Sequence, residues 1–217
     1  MIKKIFFLTL LGIGIFVAMQ VAMPYLSYKA WERKTFDQNS LLVSPSANVL
    51  ESDSKVLGVS IQNVGNFPSF VVEATSSATA YDHFLISIPS IKVLNTKVVV
   101  NTNDFSENLA HLPGTALPGE VGNVFVTGHS SLPQIKNTKN MLSFANLPKM
   151  KKEDSIFLQV GGQRYEYIVE GLRIVDPKEV WVIDPPDKQG RFLSLMTCVP
   201  PGFNTKRLIV LARLKGT

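Results

Sequence analysis

The sequence predicts a mainly β protein: a closed or nearly closed barrel of eight short strands behind one N-terminal membrane-spanning helix. Three observations carry this reading. From Tyr81 to Thr217 there are eight short runs rich in Val, Ile, Leu and Phe, bounded by Pro, Gly and Asn, the pattern of short strands joined by turns. So many strands in one small domain favour closure, which removes exposed edges. From Ile5 to Tyr28 there is no charged residue. The 217 residues are 45% hydrophobic and 18% charged, with 14 Gly and 13 Pro, a folded composition that excludes collagen-like, low-complexity and fully disordered chains.

Taken in order, the charge-free stretch follows Lys3 and Lys4 and counts 24 residues, enough to cross a bilayer core that needs about 20. A cleaved signal peptide has an apolar core of about 7 to 15 residues and a small-x-small site, whereas Gln20 stands two positions before Ala22. An uncleaved anchor over residues 1–28 is expected. Residues 29–80 read as a stalk or linker, with SPSANV, ESDS and ATSSATA in a Ser- and Asn-rich stretch. Within it KVLGVSIQNV and SFVVEA have the pattern to pair as strands. Residues 81–217 form the barrel, with strand candidates HFLISI, TKVVVN, NVFVTGH, SIFLQV, RYEYIVEGLRIV, EVWVI, RFLSLMT and KRLIVLARL. Short helices are expected at SENLAHL and around NMLSFANL. The chain stops at Thr217, just past the last strand, so no C-terminal anchor is expected.

Composition narrows the chemistry. A single cysteine, Cys198, excludes an intramolecular disulfide framework and Cys-rich zinc or iron–sulfur sites. Three histidines leave little room for a metal cluster, and neither a metal nor a cofactor is expected. The net charge of +5 is modest, and its local run, Lys149, Lys151 and Lys152, is followed at once by Glu153 and Asp154. This is a solvated face, not a nucleic-acid patch. No internal repeat and no glycine-rich phosphate loop is visible.

The informative stretch is RFLSLMTCVPPGFNTKRLIVLARL, where two apolar strands flank a loop. If they pair antiparallel, Cys198 and Arg207 face each other across the hairpin mouth. Arginine carries a permanent charge on a planar fork suited to an oxyanion. A thiol also needs a partner, because only the thiolate attacks. His129 is the best candidate, since it ends NVFVTGH as Cys198 ends its own strand, with Gly128 beside it. His83 opens a strand and His111 lies in AHLPGT, so both fit less well. Alone, each of these residues has a plain structural reading, as a buried thiol, a cap histidine or an edge charge. Three residue types of one mechanism, each at a strand's rim, favour a Cys-nucleophile enzyme.

These residues also carry a family resemblance. TC-VPPG-FNTKRLIV resembles the TC-x-P-x-G-x-N-T-x-RL segment of sortases, VTGHSSLP their TGH-x-x-LP, and AHLPGTALPGEVGN their GH-L-x-GT-x-LPGE-x-GN. The matches are in the family's order and cover the chain from about Tyr81 to Leu214. The resemblance implies an eight-stranded sortase barrel and a membrane-anchored cysteine transpeptidase, single-pass, with its catalytic domain outside the bacterial membrane. It implies cleavage of an LPxTG-like C-terminal sorting signal on secreted proteins and transfer to an amine such as a cell-wall peptide or a pilin lysine. Carried over by motif, Cys198 is the nucleophile, His129 the acid/base, Arg207 the oxyanion and substrate-positioning group, and Thr197 a substrate contact; His111 is structural. The short Cys-to-Arg spacing and TGH-x-x-LP look most like pilin-polymerising class C enzymes, while no Asp-Pro-aromatic lid motif precedes the barrel. Two rivals stay open: a hydrolytic cysteine peptidase of papain type, which places Cys before His in sequence, and a membrane-tethered binding domain with an inert thiol.

Overall fold

The computed structural model describes residues 2–38, 59–64, 67–72, 81–130, 144–201 and 205–216. The chain forms two compact units, Met1–Leu41 and Leu42–Thr217. The first is a single helix, α1 (Ile2–Gln38). Its part from Lys3 to Ala30 is long and apolar enough to cross a membrane. At 1.5 Å per residue the charge-free stretch spans about 36 Å, more than the ~30 Å hydrocarbon core. Ile5, Phe6, Leu10, Ile13 and Phe16 are all exposed, so the helix is apolar on every side. The helix continues ten residues beyond Tyr28, into the stretch read as stalk.

In the second unit, β1 (Val59–Val64) and β2 (Phe67–Val72) form an antiparallel two-stranded hairpin with Val64 opposite Phe67. This is the pairing expected within KVLGVSIQNV and SFVVEA. Eight further strands make a closed barrel: β3 (His83–Ile88), β4 (Val93–Val99), β5 (Leu109–His111), β6 (Gly122–Thr127), β7 (Ser155–Val160), β8 (Gln163–Val175), β9 (Arg191–Val199) and β10 (Lys206–Leu214). Their order around the barrel is β10-β8-β7-β3-β4-β5-β6-β9. The β4–β5 and β6–β9 pairs are parallel, and the other neighbours are antiparallel. Val98, Val124, Val126, Leu158, Leu195 and Val210 are fully buried and fill the interior, as alternate residues of closed strands must.

The strand count is eight as expected, but the membership differs. SENLAHL does not become a helix: Leu109–His111 is a three-residue strand, wholly buried, slotted between β4 and β6 where it closes the barrel. EVWVI is not a strand but a 3-10 turn, Val180–Ile183. Local side chains explain the turn. The Glu179 carboxylate accepts the Asp176 backbone N–H at 2.6 Å and the Trp181 Nε1–H at 3.2 Å, winding the segment back on itself. Around NMLSFANL the described residues give a short 3-10 turn, Leu147–Lys149; residues 140–143 lie outside the described set.

The Val180–Ile183 turn also builds a second layer of apolar packing. Its Val182 and Ile183 join Leu112, Phe125, Val175, Met196 and Ile209 in one apolar cluster. Phe125, Met196 and Ile209 alternate with the interior residues of β6, β9 and β10, so the cluster covers the opposite face of those strands.

Candidate active site

Three strand ends meet at one rim. In the β9–β10 ladder Cys198 stands directly opposite Arg207, the facing expected from the hairpin. In the β6–β9 ladder Thr127 stands beside Met196, and the Gly128 N–H donates to the Met196 carbonyl at 3.2 Å. Counting in twos from Thr127 and Met196 brings His129, Cys198 and Arg207 to the same face, just beyond the apolar cluster of Phe125, Met196 and Ile209.

The junction between the histidine and cysteine ends is held by two more bonds. The Thr197 hydroxyl donates to the Gly128 carbonyl at 2.9 Å, and the Ser130 hydroxyl donates to the Cys198 carbonyl at 2.6 Å. The two neighbours of His129 are thus tied to Thr197 and to the backbone of Cys198 itself. Thr197 is 1% exposed and alternates with Cys198, so it faces the barrel interior. Its hydroxyl is committed to a backbone carbonyl, and its structural effect is to pin two strand ends together. Gly128 permits the close approach: a Cβ there would run into Leu109 Cδ2 and lie 2.9 Å from Phe144 Cδ2.

Electrostatics set the resting state. Burial pushes the Cys198 thiol up, and the neighbouring Arg207 guanidinium opposes that rise. Burial pushes the His129 imidazole below its ordinary value, and the Asp104 carboxylate opposes that fall. For ordinary values of about 8.5 and 6.5, a thiolate–imidazolium pair amounts to roughly 1% of the neutral pair. Relative to those ordinary values, the direction of each shift disfavours the charged pair. Arg207 is 2% exposed, and its Nη1–H donates to the Lys206 carbonyl at 3.1 Å. Lys206 pairs with Asp176 at 2.6 Å at the surface, a contact worth little by itself.

The other histidines lie elsewhere. His83 is at the exposed start of β3, with Nδ1 2.5 Å from Asp82 Oδ1. His111 is fully buried. Its Nε2 lies 3.0 Å from the Ala116 carbonyl and 2.9 Å from Thr115 Oγ1, whose own proton goes to the Leu112 carbonyl. Its Nδ1 accepts the Asn101 N–H at 3.4 Å. This set fits a neutral ring protonated on Nε2, a structural part.

Three residues at the rim escape sequence reasoning. Ser130 stands next to His129 in TGHSSLP, but nothing in that spacing signals its bond across to Cys198. Asp104 and Phe105 lie in the irregular β4–β5 connection. The Phe105 ring sits 4.6 Å from the His129 ring, centroid to centroid, tilted by 53°. Chemically the rim carries a thiol, an imidazole and a guanidinium, the kinds of group from which an acyl-transfer site can be built.

Comparison with known proteins identifies the family and the fold. A family model described as the sortase domain matches residues 86–215. The chain is 30% identical over 135 residues to sortase A of Bacillus anthracis, a stretch covering 61% of this chain and 59% of that protein. It is 34% identical over 135 residues to sortase A of Listeria monocytogenes, covering 61% and 56%. The matched stretch therefore spans under two thirds of each of these relatives. Among solved structures, a lid mutant of sortase A from Corynebacterium diphtheriae superposes with a TM-score of 0.54 at 30% identity, over 64% of this chain and 73% of that one. Sortase C-1 from Actinomyces oris superposes with a TM-score of 0.55 at 28% identity, over 64% and 77%.

Proposed function

Because the chain belongs to the sortase family, we propose that it is a cysteine transpeptidase in which Cys198, His129 and Arg207 are the catalytic set. The observation that carries this is the register: Cys198 opposite Arg207, on a strand end pinned to the one bearing His129. The Cys198 thiolate attacks the carbonyl carbon of the Thr–Gly bond in an LPxTG-like C-terminal signal. Arg207 holds the oxyanion as the carbonyl electrons move onto oxygen, and His129 gives its proton to the departing Gly amine. A thioester on Cys198 remains. An incoming amine attacks it, His129 takes that amine's proton, and the sulfur leaves as thiolate.

The substrates in this reading are secreted proteins carrying such a signal, and the acceptor is the amine of a cell-wall peptide or a pilin lysine. Residues 1–28 anchor the protein by a single pass in the bacterial membrane, residues 29–80 act as stalk, and residues 81–217 act outside it. Thr197 serves the substrate indirectly, by fixing the backbone on which the nucleophile stands.

The test is intact mass spectrometry of the full chain in detergent micelles, incubated with a pool of LPxTG-like peptides beside its Cys198→Ala variant. The expected result is a peptide adduct ending at the motif's Thr, present only with Cys198 and discharged by added amine. Discharge equally fast without amine would mean a hydrolase, and an unmodified mass throughout would mean an inert thiol. His129→Ala and Arg207→Ala should each slow adduct formation by roughly 10²- to 10⁴-fold.

A further inference from the structure

We infer that the Asp104–Phe105 turn is a positioning element for the His129 imidazole, with Phe105 setting the plane of the ring and Asp104 placing a carboxylate beside it. The inference rests on the proposed acid/base role of His129. A proton donor that must reach a leaving amine needs a fixed ring plane, and the His129 ring stands beyond the end of the β6–β9 ladder. Phe105 supplies a wall: its ring meets that of His129 at 4.6 Å and 53°, the spacing at which aromatic pairs attract.

The wall is itself built. The Asp104 N–H donates to Thr102 Oγ1 at 3.0 Å, and Asp104 Oδ1 accepts the Ser106 N–H at 2.9 Å, so hydrogen bonds close the turn on both sides of Phe105. The turn is fastened to the barrel through His111. The Thr102 N–H donates to the His111 carbonyl at 3.1 Å, and the Asn101 N–H donates to its Nδ1 at 3.4 Å. Asn101 takes φ 53°, a left-handed conformation that asparagine tolerates better than most residues. The buried histidine thus supports, from the neighbouring strand, the turn that faces the rim histidine.

Among the described residues, few charged groups lie on the elements around His129. The β4–β5 connection brings Asp104 and the exposed Glu107, and the ends of β9 and β10 bring Cys198 and Arg207. Residues 144–146, whose Phe144 N–H donates to the His129 carbonyl at 3.3 Å, bring none. Phe105 excludes water from one side of the ring and Asp104 favours the imidazolium, so the two halves of the turn act on the proton in opposite senses.

That opposition makes the inference testable on the full chain in micelles. The His129 imidazole is titrated by NMR, its signal assigned with His129→Gln, in the unaltered protein and in Phe105→Ala, Phe105→Tyr and Asp104→Asn. Kinetics with a sorting peptide and the unfolding midpoint are read in parallel. Phe105→Ala should raise the His129 titration midpoint and lower kcat roughly three- to tenfold with KM little changed, and Phe105→Tyr should restore both. Asp104→Asn should move the midpoint down, by less in high salt than in low, because an exposed carboxylate is screened. A His129 titration unmoved by all three variants, or moved the same way by Phe105→Ala and Asp104→Asn, overturns the inference. So does a loss confined to the unfolding midpoint. If the unaltered chain forms no adduct with any peptide, the catalytic reading fails, while the NMR titration still decides whether the turn controls the ring.

Discussion

Replacing Thr197 by Val removes one hydroxyl and almost no volume, and so isolates the pin between the histidine and cysteine strand ends. The hydroxyl donates to the Gly128 carbonyl at 2.9 Å, and both residues are buried. Loss of the bond and desolvation of a carbonyl left without it together cost about 1–3 kcal/mol. At a central value of ~2 kcal/mol the unfolding midpoint should fall by roughly 4–8 °C for a domain of this size. Ser130→Ala removes the second pin, 2.6 Å long, to the Cys198 carbonyl. Because both hold one junction, the double variant should depart from additivity by about 0.5 kcal/mol or more. Activity should suffer more than stability explains, since a shift approaching 1 Å in a reacting group costs about 10²-fold. Thermal melts and urea titrations followed by tryptophan fluorescence give the first numbers, and peptide turnover gives the second. A Thr197→Val protein with unchanged midpoint and turnover, or strictly additive stability effects, would refute the idea that these bonds hold the site.

Three further outcomes are expected. Arg207→Ala should slow alkylation of Cys198 by iodoacetamide at neutral pH and move the rate profile to higher pH, with Arg207→Lys between, because the guanidinium opposes the rise that burial imposes on the thiol. Gly128→Ala should destabilise by about 1–3 kcal/mol, measured as the shift in urea midpoint, because the added methyl meets Leu109 and the Phe144 ring. Burial holds His111 below the usual histidine range, so between that depressed value and about 6.5 the unfolded chain binds a proton the folded one refuses. Stability is then complete above about 6.5 and is lost as pH falls toward the folded value, at up to ~1.4 kcal/mol per pH unit. His129 is shifted in the same direction, so His111→Gln should flatten the slope between pH 7.5 and 5.5 only in part.

Strands that alternate or run apolar for six or more residues, such as HFLISI, RFLSLMT and KRLIVLARL, were legible because their own pattern forces them into a sheet. Leu109–His111 was not, since three residues carry no period and their strand state comes from the slot between β4 and β6. EVWVI misleads for the opposite reason: its residue types favour a strand, but Glu179 winds it into a turn whose apolar side chains pack over a sheet face. At the site, Cys198, Arg207 and His129 stood out because each ends a strand with a reactive side chain. The alternation that turns Thr197 away from Cys198 was equally available. Ser130, Asp104 and Phe105 were hidden, because a cross-strand hydroxyl bond and a ring contact from an irregular connection leave no spacing to read.

The two halves of the rim differ in how far the chain must travel to make them. Cys198 and Arg207 are joined by one short hairpin, whereas the bonds that bring the histidine end alongside join residues 68 and 69 positions apart. Closing a long loop is entropically dearer than closing a hairpin and follows it in time. On that ordering the thiol is expected to meet its cation first and the histidine end only when the parallel β6–β9 seam forms. A half-folded chain would then hold sulfur and guanidinium together before the imidazole arrives, and completion of the fold would be what brings the third group of the proposed catalytic set into reach.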